Sequence, residues 1–218
     1  MKLPTIYLGK TGFLFALALG LGFGTIAAIT SQPQAQSSSV QASYQVSESN
    51  TDGFPLVKSG DFDLIDNKGR PRTSKNPNGK YQLVFFGYAN CKAMCSVALP
   101  NLANAVDLLA EMNIPVTPVL ITVDPKRDTV AALDRAVADI HPNMVGLTGS
   151  EKKLEAAYNA FNLEKKFLFE HIDEGAIYSH GSFIYLLDPK GNFKTLFAPI
   201  ISPVRIAEIS AGYISQTQ

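Results

Sequence analysis

The stretch VFFGYANCKAMCSVALP, residues 84–100, decides how this chain is read. Its left half belongs to YQLVFFGY (81–88), a continuous apolar run rich in aromatic and β-branched residues, as expected of a central strand covered on both faces. Its right half opens a helical pattern. Leu99, Leu102, Val106 and Leu109, flanked by Ala105, Leu108 and Met112, recur at helix spacing. Between the two lie Cys91 and Cys95, the 2 cysteines of the chain. They are therefore placed where a central strand turns into a helix, and ligands of open α/β sheets bind at that edge.

Working outward, VTPVLITV (116–123) reads as a second buried strand, and DTVAALDRAVADI (128–140) as a helix capped by Asp128. SEKKLEAAYNAF (150–161) repeats the pattern with Ser150 as cap. SFIYLLD and NFKTLFA flank a Pro189-Lys190-Gly191 turn and predict a hairpin, and a last helix is opened by Pro203 over 203–213. Upstream, GDFDLIDNKGRPRT holds a short strand at Phe62 and Leu64 before an Asn67-Lys68-Gly69 turn. Residues 164–178 are expected to form a loop. Strands alternating with helices predict an α/β fold: a mostly parallel sheet with helices on both faces and a hairpin at one edge. No Walker A segment, Gly-x-Gly-x-x-Gly fingerprint, Gly-x-Ser-x-Gly elbow or His-Glu-x-x-His pair occurs.

The N-terminus has a different composition. Lys2 and Lys10 precede TGFLFALALGLGFGTIAAIT (11–30), an uncharged run long enough to span a bilayer. Its positive end should stay cytoplasmic, which makes residues 1–30 an inner-membrane anchor and places the rest on the periplasmic side. A cleaved signal peptide is the alternative, with a shorter apolar core than this one. SQPQAQSSSVQASYQVSESNTDG (31–53) is rich in Ser and Gln and poor in large apolar residues, as befits a flexible tether. The domain is then 54–218. Lys+Arg and Asp+Glu are 19 each, so electrostatic capture of nucleic acid is not expected.

Two thiols at the start of a helix face unpaired N–H groups and a positive dipole end, which favour thiolate. If the helix starts at Cys91, a spacing of four puts both sulfurs on one face. A structural disulfide would close too small a loop to stabilise the fold much. A structural zinc site wants four ligands, against 2 cysteines and the 3 histidines His141, His171 and His180. Two thiolates and one imidazole suit copper in either oxidation state. The pair alone leaves a redox couple, a metal seat and a disulfide open.

Four motifs, VFFGYANCKAMC, LITVDPKRDTVAAL, GLTGS and YSHGSFIYLLDPKG, resemble in order and spacing the Sco/SenC proteins, over about residues 60–213. These are membrane-anchored, thioredoxin-like copper-binding proteins of cytochrome c oxidase assembly. The resemblance implies a thioredoxin-like domain in which Cys91, Cys95 and His180 hold Cu(I), and also Cu(II), while the cysteines cycle between dithiol and disulfide. It implies as partners the copper-bearing oxidase subunit and a periplasmic thiol reductant or copper donor. Asp124 is expected to shape the site or cap its turn, Gly87 to let the loop approach, and Tyr88 to wall it. The family's usual prolines after the cysteines are here Lys92 and Ser96, and Lys92 would draw a thiol toward thiolate. The usual Asp and Ser around the histidine are Ser179 and Gly181. His171, from the 164–178 loop, is a candidate further ligand; His141 reads as a plain polar residue. KKFLFEH is a candidate docking surface. The function implied is a copper metallochaperone. The alternatives are a thiol–disulfide oxidoreductase, with Cys91 attacking and Cys95 resolving, and a copper- or redox-sensing interaction module.

Overall fold

A computed structural model of the chain describes residues 57–216 apart from 90 and 92. The expected anchor at 1–30, the expected tether at 31–53 and Lys92 lie outside the described residues. Among those described, no helix is long and apolar enough to cross a membrane.

Strand β3 (Tyr81–Gly87) is buried along its whole length. Leu83 and Phe85 point to one face, and Val84 and Phe86 to the other, so one apolar run supplies two cores. Helix α1 (Cys95–Glu111) follows and returns the chain to β4 (Val116–Thr122), which lies parallel to β3 with Phe85 opposite Leu120. Helix α2 (Val130–Ile140) repeats the crossover to β5 (Val145–Thr148), parallel to β4. The cap of α2 is Thr129, whose hydroxyl accepts the Ala132 N–H; the predicted cap, Asp128, turns inward instead. Ser150 caps α3 (Glu151–Ala160) as expected. Ser202 caps α4 (Pro203–Ser215), with Pro203 in its first turn.

The sheet is mixed and not mostly parallel. Strands β1 (Asp63–Asp66) and β2 (Pro71–Thr73) form a hairpin beside β5, while β8 (Ile184–Leu187) and β9 (Phe193–Phe197) form another beside β3. The order is β2-β1-β5-β4-β3-β8-β9, with only β3–β4 and β4–β5 parallel. Connection length accounts for the two hairpins and the two helical crossovers: a helix is needed to bring a strand back parallel, and the short turns in β1–β2 and β8–β9 allow only antiparallel neighbours. Helices α1, α2 and α4 contribute Leu102, Leu133 and Ile206 to the core on one face; α3 covers the other with Leu154.

The expected loop at 164–178 is a second correction. It is a two-stranded antiparallel hairpin, β6 (Lys165–His171) and β7 (Gly175–His180), separate from the main sheet. Phe167 and Phe169 pair with Tyr178 and Ile177, Leu168 lies at the register shift between them, and Gly175 takes the positive φ of 71° at the turn. The polar flanks suggested a loop; the β-propensity of the centre prevails.

Candidate metal and redox centre

At the C-terminal end of β3 the chain must leave the sheet under tight packing. Gly87 makes this possible: a Cβ there would lie 2.9 Å from Phe85 Cε1 and 3.1 Å from Cys95 Sγ. The turn that follows is closed by the Cys91 N–H donating to the Tyr88 carbonyl at 3.1 Å. The helix begins only at Cys95, after turn bonds through Ala93 and Met94. The sulfurs therefore meet across a loop and not along one helical face. They form a disulfide, with Cα atoms 5.8 Å apart. Cys95 is 1% exposed and sits at the helix N-terminus, so it and not Cys91 is nearer the dipole; Cys91 is half-buried and open to attack.

His180 ends β7 and reaches the same place. Its ligand nitrogen and the two sulfurs lie within 4.8 Å of one another. Thiolate and imidazole donors reach a first-row ion at about 2.3 and 2.0 Å, so a trio around one ion spans about 4 Å. The imidazole needs only a small approach, while the two bonded sulfurs must part on reduction. The ring packs edge-on against Phe85 and Tyr88, with centroids 6.4 and 6.3 Å away. Its Nδ1 is 3.0 Å from the Gly181 carbonyl, which can only accept, so Nδ1 carries the proton and Nε2 the lone pair. A backbone carbonyl thus orients the ring where Ser179 offers no carboxylate. At Gly181 a Cβ would meet Leu163 Cδ1 at 3.0 Å, so a larger residue there requires that side chain to shift. Burial pushes the imidazole pKa below its usual value; the Lys165 ammonium, across the hairpin, acts the same way, and the Gly181 carbonyl opposes both. Burial thus favours the neutral ring.

Tyr88 walls the site as expected, buried and edge-on to both His180 and Tyr178, and burial raises its phenol pKa. Asp124 is 1% exposed and does not join the three-donor group. Its carboxylate accepts from Arg127 Nε, so its influence passes through that guanidinium. His171 sits at the opposite end of the hairpin from His180, paired with Gly175, and its Nδ1 accepts the N–H groups of Asp173 and Glu174. It shapes the turn and does not approach the sulfurs. His141 is buried at the end of α2, where its Nε2 contacts Asp107 at 3.2 Å. Phe167, Leu168 and Phe169 of the KKFLFEH strand are exposed, as is Ile172 at the turn, 96% so.

Two residues near the site escaped the sequence reading. Asp128 carries two hydrogen bonds that pin the loop: it accepts Thr122 Oγ1–H at 2.6 Å and the Ala89 N–H at 3.2 Å. Burial raises its pKa. Its place before a helix imitates a cap, which hid this role. Arg127 donates to Asp124 and to the carbonyls of Glu174 and Ala176 on the hairpin, 47 and 49 residues away in the chain. Only the tertiary structure reveals such a contact.

Residues 50–215 match the SCO1/SenC family model. The mitochondrial SCO2 homolog of Mus musculus is 37% identical over 161 residues, covering 73% of this chain and 63% of the relative. That of Bos taurus is 39% identical over 154 residues, covering 70% and 58%. The matched region spans less than two thirds of either relative. The crystal structure of Arabidopsis thaliana ScoI with copper bound superposes with a TM-score of 0.69 at 30% identity, covering 73% of this chain and 99% of that one.

Proposed function

Because this chain belongs to the SCO1/SenC family, with its thioredoxin-like fold, we propose that it is a copper metallochaperone serving the copper centre of cytochrome c oxidase. The observation that carries the proposal is the convergence of Cys91, Cys95 and His180 within 4.8 Å at the end of the central strand. Two soft sulfurs select Cu(I), and a neutral imidazole lets the same seat hold Cu(II). The copper-bound plant structure supports that choice of metal.

Loading starts from the dithiol. A thiol reductant attacks the Cys91–Cys95 bond, its own two sulfurs end as a disulfide, and two electrons and two protons arrive on Cys91 and Cys95. Copper then replaces the two thiol protons, while Nε2 of His180 donates its lone pair without proton release. Delivery to the oxidase subunit proceeds by ligand exchange, each donor of this chain being displaced in turn by one from the recipient. The apolar run at 11–30 supports an inner-membrane anchor, and the tether would give the domain its reach on the periplasmic side.

The half-exposed Cys91 above a buried Cys95 favours one second reading, a thiol–disulfide oxidoreductase in which Cys91 attacks and Cys95 resolves. A single experiment separates the two. Reduced full chain in detergent is titrated with Cu(I) against a competing chelator without oxygen, beside His180→Ala and Cys91→Ala. One tightly held copper, weakened by either substitution, supports the chaperone. No uptake, with both thiols confirmed free, leaves the redox couple.

A further inference from the structure

The hairpin that delivers His180 is not part of the main sheet. A lone two-stranded hairpin is marginal in water, and most of β6 is exposed. Something outside it must fix where His180 stands. One side chain does so from the loop after β4. Arg127 donates from Nη1 to the Glu174 carbonyl and from Nη2 to the Ala176 carbonyl, and from Nε to the carboxylate of Asp124. Its guanidinium also lies 5.7 Å from the ring centroid of Tyr88, which itself packs against Tyr178 and His180. Asp124 is buried and cannot swing away. The fit is close on the hairpin side too: at Gly175 a Cβ would collide with Arg127 Nη1.

We infer that Arg127 is the positioning residue for His180: it holds the β6–β7 hairpin against the thiol loop, so that the imidazole meets the two sulfurs. The planar fork is what the task requires, since two carbonyls and a carboxylate are engaged from one rigid group. Lysine, a single ammonium, reaches at most part of this set. The inference rests on the copper reading for its metal readout, and on the hairpin alone for a second one.

The test uses reduced full chain in detergent, comparing Arg127→Ala, Arg127→Lys, His180→Ala and the Arg127→Ala/His180→Ala double variant. Copper affinity is measured by chelator competition, and imidazole coordination by the nitrogen hyperfine signal of bound Cu(II). Arg127→Ala should lose about tenfold in affinity, with a weakened nitrogen signal, and Lys should not rescue it. The double variant should bind no more weakly than His180→Ala, because Arg127 acts only through that ring. Wild-type affinity in Arg127→Ala, or additive losses in the double variant, would overturn the inference. Amide hydrogen exchange in the metal-free oxidised protein decides independently. Arg127→Ala should speed exchange across Gly175–His180 about tenfold while leaving α1 unchanged; unchanged β7 exchange overturns the inference. Failure of wild type to take copper sinks the copper reading alone, and exchange then settles Arg127.

Discussion

A buried imidazole is a sensitive reporter of its own surroundings. Burial and the Lys165 ammonium lower the pKa of His180 below the ordinary 6.5. The unfolded chain then binds the proton more tightly than the native one, so stability rises with pH. The contribution is complete above the unfolded value of 6.5 and is lost as pH falls through it toward the lowered native one. Melting temperatures of the metal-free oxidised protein between about pH 5 and 8 should therefore fall on the acid side more for wild type than for His180→Ala; parallel curves would contradict the assignment. Gly87 gives a steric counterpart. Alanine there must push aside Phe85 or Cys95 Sγ, both at 3.1 Å or less from the added carbon. Overpacking of this kind costs about 1–3 kcal/mol, and a urea midpoint at unchanged slope would measure it.

Elements explain which parts of the molecule were legible. The strands β3 and β4 follow from continuous apolar runs, α1 from hydrophobic period, α3 and α4 from the start signals Ser150 and Pro203, and Cys91 and Cys95 from their place where β3 gives way to α1. Of the antiparallel flanks, β1 and the β8–β9 hairpin are legible from their apolar residues and the turns beside them, whereas Pro71–Thr73 carries too few residues to show a period. The β6–β7 hairpin was missed because most of its residues are half-exposed or exposed and no apolar/polar alternation marks it. His180 required the resemblance, since nothing local separates it from His141 or His171. Asp128 shows the same ambiguity at a helix start, and it is testable. Thr129→Ala should cost about 0.5–2 kcal/mol as a lost cap and leave Cys91 chemistry alone. Asp128→Ala should cost about 1–3 kcal/mol through the unpaired Ala89 N–H and Thr122 hydroxyl. It should also speed alkylation of reduced Cys91, because the turn before it is released. Equal alkylation rates in the two variants would mean that Asp128 does not hold the turn before Cys91.

At the scale of the whole molecule, the question is whether the fold can tolerate the reduced state that the proposed function requires. The Cys91–Cys95 bridge spans a sequence separation of 4. Chain-entropy reasoning gives so small a loop about 2 kcal/mol at most. The rest of the stability comes from two apolar layers on either face of the sheet. Cys95 is one member of a cluster that also holds Leu83, Leu102, Leu120 and Ile206, and the opposite cluster, built on Phe86, Ile121 and Phe161, has only the half-buried Cys91 packed against its edge. Reduction should therefore shift the urea midpoint by the equivalent of about 2 kcal/mol or less, with a single cooperative transition and an unchanged slope. A change in slope would mean that opening the bridge releases more than a loop. Loss of the transition would make the bridge structural, and a structural bridge cannot also be the bond that must open for copper to enter. A small shift leaves dithiol and disulfide as two states of one fold. The hairpin would then keep His180 over the thiol loop in both, and reduction would free the two sulfurs to part around an incoming ion without unfolding the domain.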